Sequence, residues 1–258
     1  MNKQNVAESF IKLIEIVEVL RGPNGCPWDR EQTYESLLPY FLEEVYEVIE
    51  SVEEKEYTNF KEELGDVMLH IVLQTQIANE DKKFSILDTL NNINNKLINR
   101  HPHVFGDKKV DVSYEAKKNW ESIKHKEKKR ESRLDGVPPS LPALTRAYRL
   151  QQKASYVGFD WKSISDVWDK LSEEIDELKN AIELKDDNNI EEEMGDILFT
   201  FVNLARHLNL HSEDMLRKTN KKFINRFKKI EKTLKLKGKT VESSSLHEMN
   251  EIWDKVKQ

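Results

Sequence analysis

The chain has 258 residues, with 41 Lys plus Arg against 47 Asp plus Glu, a formal net charge of −6, and only 8 Gly and 7 Pro. So few turn-formers argue against a β-sandwich or barrel, and the lack of any G-x-G-x-x-G or G-x-x-x-x-G-K-[ST] string argues against a Rossmann or P-loop enzyme. The acidic balance makes the chain as a whole a poor partner for nucleic acid or acidic lipid, and no apolar run approaches the roughly 18 residues that span a bilayer.

From the N-terminus, MNKQNVAESF has no apolar signal core, and the single cysteine, Cys26, excludes an intrachain disulfide framework. Both features lead to the expectation of a cytoplasmic protein. Apolar residues then recur at helical spacing: Phe10, Leu13, Ile14 and Val17; Leu42, Val45, Ile49 and Val52; Leu64, Val67, Met68 and Ile71. The charge run Lys124 to Arg133 and the segment Gly136-Val137-Pro138-Pro139-Ser140-Leu141-Pro142 read as a solvated helix end followed by a linker. Beyond it the helical pattern resumes with Leu171, Ile175, Leu178 and Ile182, then Met194, Ile197, Leu198 and Phe201. Few stretches alternate with period two, so the expected fold class is all-α. The expected domains are 1–125 and 141–258, with a linker at 126–140.

The halves repeat one unit. Glu43-Glu44-Val45-Tyr46-Glu47 corresponds to Glu173-Glu174-Ile175-Asp176-Glu177, and after fifteen residues in each copy Glu63-Leu64-Gly65-Asp66 corresponds to Glu193-Met194-Gly195-Asp196. Upstream, Gly25-Cys26-Pro27-Trp28 parallels Gly158-Phe159-Asp160-Trp161; downstream, Lys96 with Arg100 parallels Lys222 with Arg226.

On a helix, residues three apart share a side, which pairs Glu44 with Glu47, Glu63 with Asp66, Glu174 with Glu177, and Glu193 with Asp196. An antiparallel helix hairpin brings two such pairs face to face, making an all-oxygen site for a hard divalent cation, magnesium or manganese. These acids have no Lys or Arg three or four positions later, and four of them, Glu44, Glu63, Glu174 and Glu193, border the apolar stripe, so they should be partly buried. Two unpaired carboxylates about 4 Å apart repel by about 4 kcal/mol at an effective dielectric near 20, so such a cluster needs a cation or protons. Gly65 and Gly195 sit mid-helix at the same step, which close helix approach would explain.

A di-iron bundle calls for Glu-x-x-His, and here Asp66 and Asp196 stand in the His position. His70 reads as a packing residue, and His101, Pro102 and His103 as a turn. The Lys-x-x-x-Arg pairs can hold phosphate, Arg in bidentate fashion and Lys as a point charge. Trp161, Trp168 and Trp253 are candidate stacking walls for a nucleobase, the last of them near the C-terminus with polar neighbours.

These residues resemble the MazG nucleoside triphosphate pyrophosphohydrolases of the all-α NTP pyrophosphatase superfamily. The likeness runs through LRGPNGCPWDREQTYESLLPYFLEEVYEVIE, the EELGD and EEEMGD strings, RHPHVFGD, LPALTRAYRLQQKASYVGFDW and the tail NEIWDKVK. It implies two tandem four-helix-bundle-like domains, a homodimer, magnesium dependence, and hydrolysis of ribo- and deoxyribonucleoside triphosphates to monophosphate and pyrophosphate. It also implies that Glu174, Glu177, Glu193 and Asp196 are metal ligands in a catalytic C-terminal copy. Nucleotide contacts are implied for Lys170 to Glu174, Asn189 to Glu192, Lys222 to Arg226, and Trp253. The N-terminal copy keeps Glu44, Glu47, Glu63 and Asp66 but lacks much of the basic surround, which leaves two readings open, a second metal site or an assembly domain.

On this reading magnesium neutralises the triphosphate and activates the attacking water, Glu173 or Glu192 acts as base, and Lys222 and Arg226 stabilise the developing charge. The alternative is a nucleotide-binding regulator or scaffold that has kept the site without turnover.

Overall fold

A computed structural model describes residues 2–107 and 112–256. Every regular element among them is helical, as the periodicity predicts. The chain divides into two compact units, 1–116 and 117–258. In unit 1 the helices are α1 (Lys3–Arg21), α2 (Pro27–Glu31), α3 (Tyr34–Glu54), α4 (Tyr57–Glu80), α5 (Ile86–Arg100) and α6 (Pro102–Phe105). Helix α7 (Ser113–Glu127) crosses the division, and α8 (Ala143–Ser155), α9 (Ile164–Leu184), α10 (Asp187–His207), α11 (Ser212–Leu236) and α12 (Leu246–Val256) belong to unit 2.

Each unit is built on a helix hairpin, α3 with α4 and α9 with α10. The hairpins start alike: Thr33 and Ser36 cap α3 reciprocally, as Ser163 and Asp166 cap α9, so the first free N–H groups are satisfied by side chains. They also turn alike, because Lys55 and Lys185 take left-handed backbone conformations, φ 61° and 56°, and stop the first helix of each pair. Helix α4 packs against α1, α3 and α5, and α10 against α8, α9 and α11. The unit 1 core gathers Val17, Leu37, Val72, Leu73 and Ile77, each 0–6% exposed. In unit 2, Ile230, Leu234 and Ile252 join α11 to α12, and Trp253 packs against them.

Three details differ from the sequence reading. Residues 126–140 fall within unit 2, where Lys153 Nζ donates to the Arg133 carbonyl, 3.2 Å away. The His101–His103 segment opens the short helix α6, with a hydrogen bond between His101 Nδ1 and the Leu97 carbonyl. A Cβ added at Gly65 or Gly195 meets no atom within 4 Å, so close helix approach inside the described chain does not account for either glycine. Lys257, in the tail motif, lies outside the described residues.

Candidate metal centre

Both hairpins bring their acids together. In unit 1, Glu44 on α3 and Glu63 and Asp66 on α4 each offer an oxygen within 4.8 Å of the others. Glu47 is hydrogen-bonded to both Glu44 and Glu63. In unit 2, Glu174 and Glu177 on α9 and Glu193 on α10 offer oxygens within 4.8 Å, and Asp196 adds its negative charge beside Glu193. Among the described residues these are the two groups of three or more such side chains placed closely enough to hold a metal ion.

The partial burial expected from the apolar stripe is present: Glu44, Glu63 and Glu193 are half-buried, and Glu174 is 5% exposed. Burial comes first in pushing Glu44 and Glu63 above the usual carboxylate range, followed by repulsion from the neighbouring acids. Glu193 is raised by burial and then by Glu177, Glu174 and Asp196. Glu177 is raised by its hydrogen bond with Glu174, which requires a shared proton, and then by burial. Acids crowded until they must share protons form an all-oxygen donor set that fits a hard divalent cation.

Unit 2 adds a cation. Lys170 Nζ, one turn before the acids on α9, lies 2.8 Å from Glu173 and 3.0 Å from Glu174. Those two bonds hold its ammonium above the ordinary Lys range. A search for Lys or Arg after the acids does not find this pair, because here the Lys precedes them.

The remaining candidates separate. Asn189 lies in the first turn of α10, where its backbone N–H donates to the capping side chain of Asp186, and Glu192 is exposed on the same helix. Lys222 and Arg226 lie on α11, and Arg226 sits over the Trp253 ring at 5.5 Å. Phe223 packs against that tryptophan and Phe227 stacks on Phe223. In unit 1 Arg100 is 4% exposed, so Lys96 and Arg100 do not form the basic face that their spacing suggests. His70, 7% exposed, packs on Phe41 and is held below the usual His range by burial.

A cavity of about 560 Å³ adjoins the unit 2 acids, with Lys170, Glu174 and Asp196 in its wall. Its remaining lining includes Gln151, Phe159, Trp161, Phe199 and Arg206. Of these the sequence marks only Trp161, one of three tryptophans that offer a stacking wall; the others come from two helices and a loop and share no motif. A second visible signal is Asp160-Trp161 within the repeated Gly-x-x-Trp element.

Comparison with known proteins identifies the family of the chain. Residues 32–105 and 163–230 match the MazG nucleotide pyrophosphohydrolase domain. The chain is 49% identical to the nucleoside triphosphate pyrophosphohydrolase/pyrophosphatase MazG of Thermotoga maritima, over 96% of this chain and 95% of that one. It is 42% identical to the nucleoside triphosphate pyrophosphohydrolase of Escherichia coli K12, over 96% of each. A solved structure of a mazG-related protein from Thermotoga maritima is 31% identical, covering 44% of this chain and 96% of that one, with a TM-score of 0.38.

Proposed function

Because the chain belongs to the MazG nucleotide pyrophosphohydrolase family, we propose that it hydrolyses nucleoside triphosphates to monophosphate and pyrophosphate at the unit 2 acid cluster. The observation that carries this reading is the convergence of Glu174, Glu177 and Glu193 beside Lys170 and the cavity. With Asp196 these residues would hold magnesium, with manganese as a substitute. When bound, the ion supplies positive charge against the polyphosphate and Lewis acidity toward its oxygens.

The chain's own side chains do the rest. Lys170 keeps one face of the acid cluster neutralised and orients Glu173 and Glu174. Because Lys170 occupies an oxygen of Glu173, the exposed Glu192 is the better-placed base for the attacking water. The water oxygen joins phosphorus, its proton passes to Glu192, the α–β anhydride bond breaks, and pyrophosphate departs. Lys222 and Arg226 meet the triphosphate charge, and Asn189 and Trp253 complete the nucleotide contacts.

The substrates are ribo- and deoxyribonucleotides alike, and the setting is the cytoplasmic nucleotide pool. No described helix is long and apolar enough to cross a membrane. The working form is a homodimer, supported by the exposed apolar side chains of the hairpins, among them Leu42, Leu64 and Met68 in unit 1 and Ile182, Leu198 and Phe201 in unit 2. The matching unit 1 cluster, Glu44, Glu47, Glu63 and Asp66, is a second metal site without turnover.

Incubation with ATP and magnesium tests the reaction. AMP with pyrophosphate is expected. Binding without products would favour the scaffold, and ADP with orthophosphate would contradict the reading.

A further inference from the structure

We propose that the cavity beside the acid cluster seats the nucleobase of the substrate, with Trp161 as its stacking wall and the Gln151 carboxamide as its reading group. This rests on the function above, and it names the part of the site that distinguishes one nucleotide from another.

Four observations carry it. The first is size and position: about 560 Å³ is ordinary for a small-molecule pocket, and Glu174 and Asp196 border it, so a base inside would leave its phosphates at the metal ligands. The second is surface: Phe159 and Trp161 are 81% and 43% exposed at the cavity, large flat rings that a planar ligand would cover. The third is an unanswered acceptor. Gln151 is 6% exposed, and its Nε2 donates to the Phe199 carbonyl at 2.8 Å, which fixes the amide at the cavity wall. Its Oε1 has no partner among the described residues. A buried acceptor without a donor is costly, and the N–H of a base is the donor that would satisfy it.

The fourth is bracing of the aromatic wall. Asp160 accepts the Trp161 backbone N–H at 2.9 Å and Arg206 Nη1 at 2.9 Å, with Arg206 Nη2 and His207 as further partners. Burial opposes ionisation of Asp160, but the Arg206 pair outweighs it and holds this carboxyl below the usual range. The backbone that carries the tryptophan is therefore tied to α10.

The test compares ATP with purine riboside triphosphate, which lacks the amino group and offers no N–H donor on its base. The wild-type enzyme should favour ATP by about tenfold in kcat/KM, the effect of one satisfied hydrogen bond. Gln151→Leu should bring the two substrates within twofold. Ala154→Phe, which fills the cavity, should raise KM for ATP at least tenfold while leaving inhibition by pyrophosphate unchanged. Unaltered thermal unfolding would show that each variant folds.

An enzyme that hydrolyses ATP but is indifferent to both substitutions overturns the proposal, as does loss of discrimination on Trp253→Ala alone. Calorimetric titration with adenosine separates this proposal from the broader reading. Adenosine bound by the wild type and lost in Ala154→Phe supports the base site even if no triphosphate is cleaved. Adenosine bound equally by both overturns it even if hydrolysis is confirmed.

Discussion

Lys170 in unit 2 reaches back to Glu173 and Glu174, and Trp161 stands with it in the cavity wall. In unit 1 the same helical position holds Tyr40, whose ring packs edge-on against Trp28, 5.9 Å away, the counterpart of Trp161. His70, buried against Phe41, occupies the place of Thr200, which lines the unit 2 cavity. One ancestral pattern of carboxylates thus has two surroundings. A duplicated acid cluster need not imply a duplicated active site, because in unit 1 the acids persist while aromatic packing stands where unit 2 has Lys170 and Trp161 at the cavity.

The sharpest way to break that comparison is to neutralise one acid in each unit. Glu193→Gln is expected to lower kcat/KM for ATP by at least about a hundredfold, whereas Glu63→Gln should change it less than twofold. Product separation after single-turnover incubation reads both. Equal losses would make the units catalytic equals.

Next in size is the cation. Lys170→Met should raise KM for ATP by about tenfold, the scale of one lost charge-assisted hydrogen bond, and should lower thermal stability without magnesium because Glu174 would lose its partner. Tyr40→Lys places the same charge in unit 1 and should leave activity unchanged, since the cavity wall there differs too.

A smaller effect is expected in the pH dependence of stability. Glu44 and Glu63 in unit 1, and Glu177 and Glu193 in unit 2, are raised in the folded chain. A carboxyl group raised by folding favours the folded state while protonated. That contribution is full below the unfolded value and is lost as pH climbs through the raised one. In EDTA these four acids should therefore pull the melting temperature down as pH rises from about 4 toward 7, against paired carboxyls such as Glu80 and Asp160, whose lowered values act in the opposite sense, and magnesium should offset the loss only at the upper end, where the ligands are ionised. Differential scanning calorimetry with and without magnesium measures this. Glu44→Gln should weaken the EDTA effect in unit 1 alone.

The smallest expected effect on catalysis comes from a structural brace. Arg21 holds Glu80 through two nitrogens and also donates to the Gln32 carbonyl, tying the end of α1 to the end of α4. Arg21→Met should destabilise unit 1 by about 2 kcal/mol, measured by denaturant unfolding, with unit 2 activity intact.

Much of this was legible in the chain itself. Glu44, Glu47, Glu63 and Asp66 could be paired because i, i+3 spacing puts them on one helix side, and the half-buried setting of Glu44 and Glu63 followed from apolar neighbours at i±3 and i±4. The helix hairpin was legible because the spacing between the acid motifs recurs unchanged, and the family because long motifs cover nearly the whole chain. Other features were not. The burial of Arg100 could not be inferred from its spacing to Lys96, which matches that of the exposed Lys222 and the half-buried Arg226.

Local periodicity by itself determined the helices, the repeat and the candidate ligands, because the α-helix converts sequence spacing directly into spatial neighbourhood. Tertiary packing alone decided where the cavity opens. It also decided that Asp160 and Arg206, 46 residues apart, brace one tryptophan. Contacts between helices depend on crossing geometry and side-chain volume, and neither is encoded in any short window of sequence.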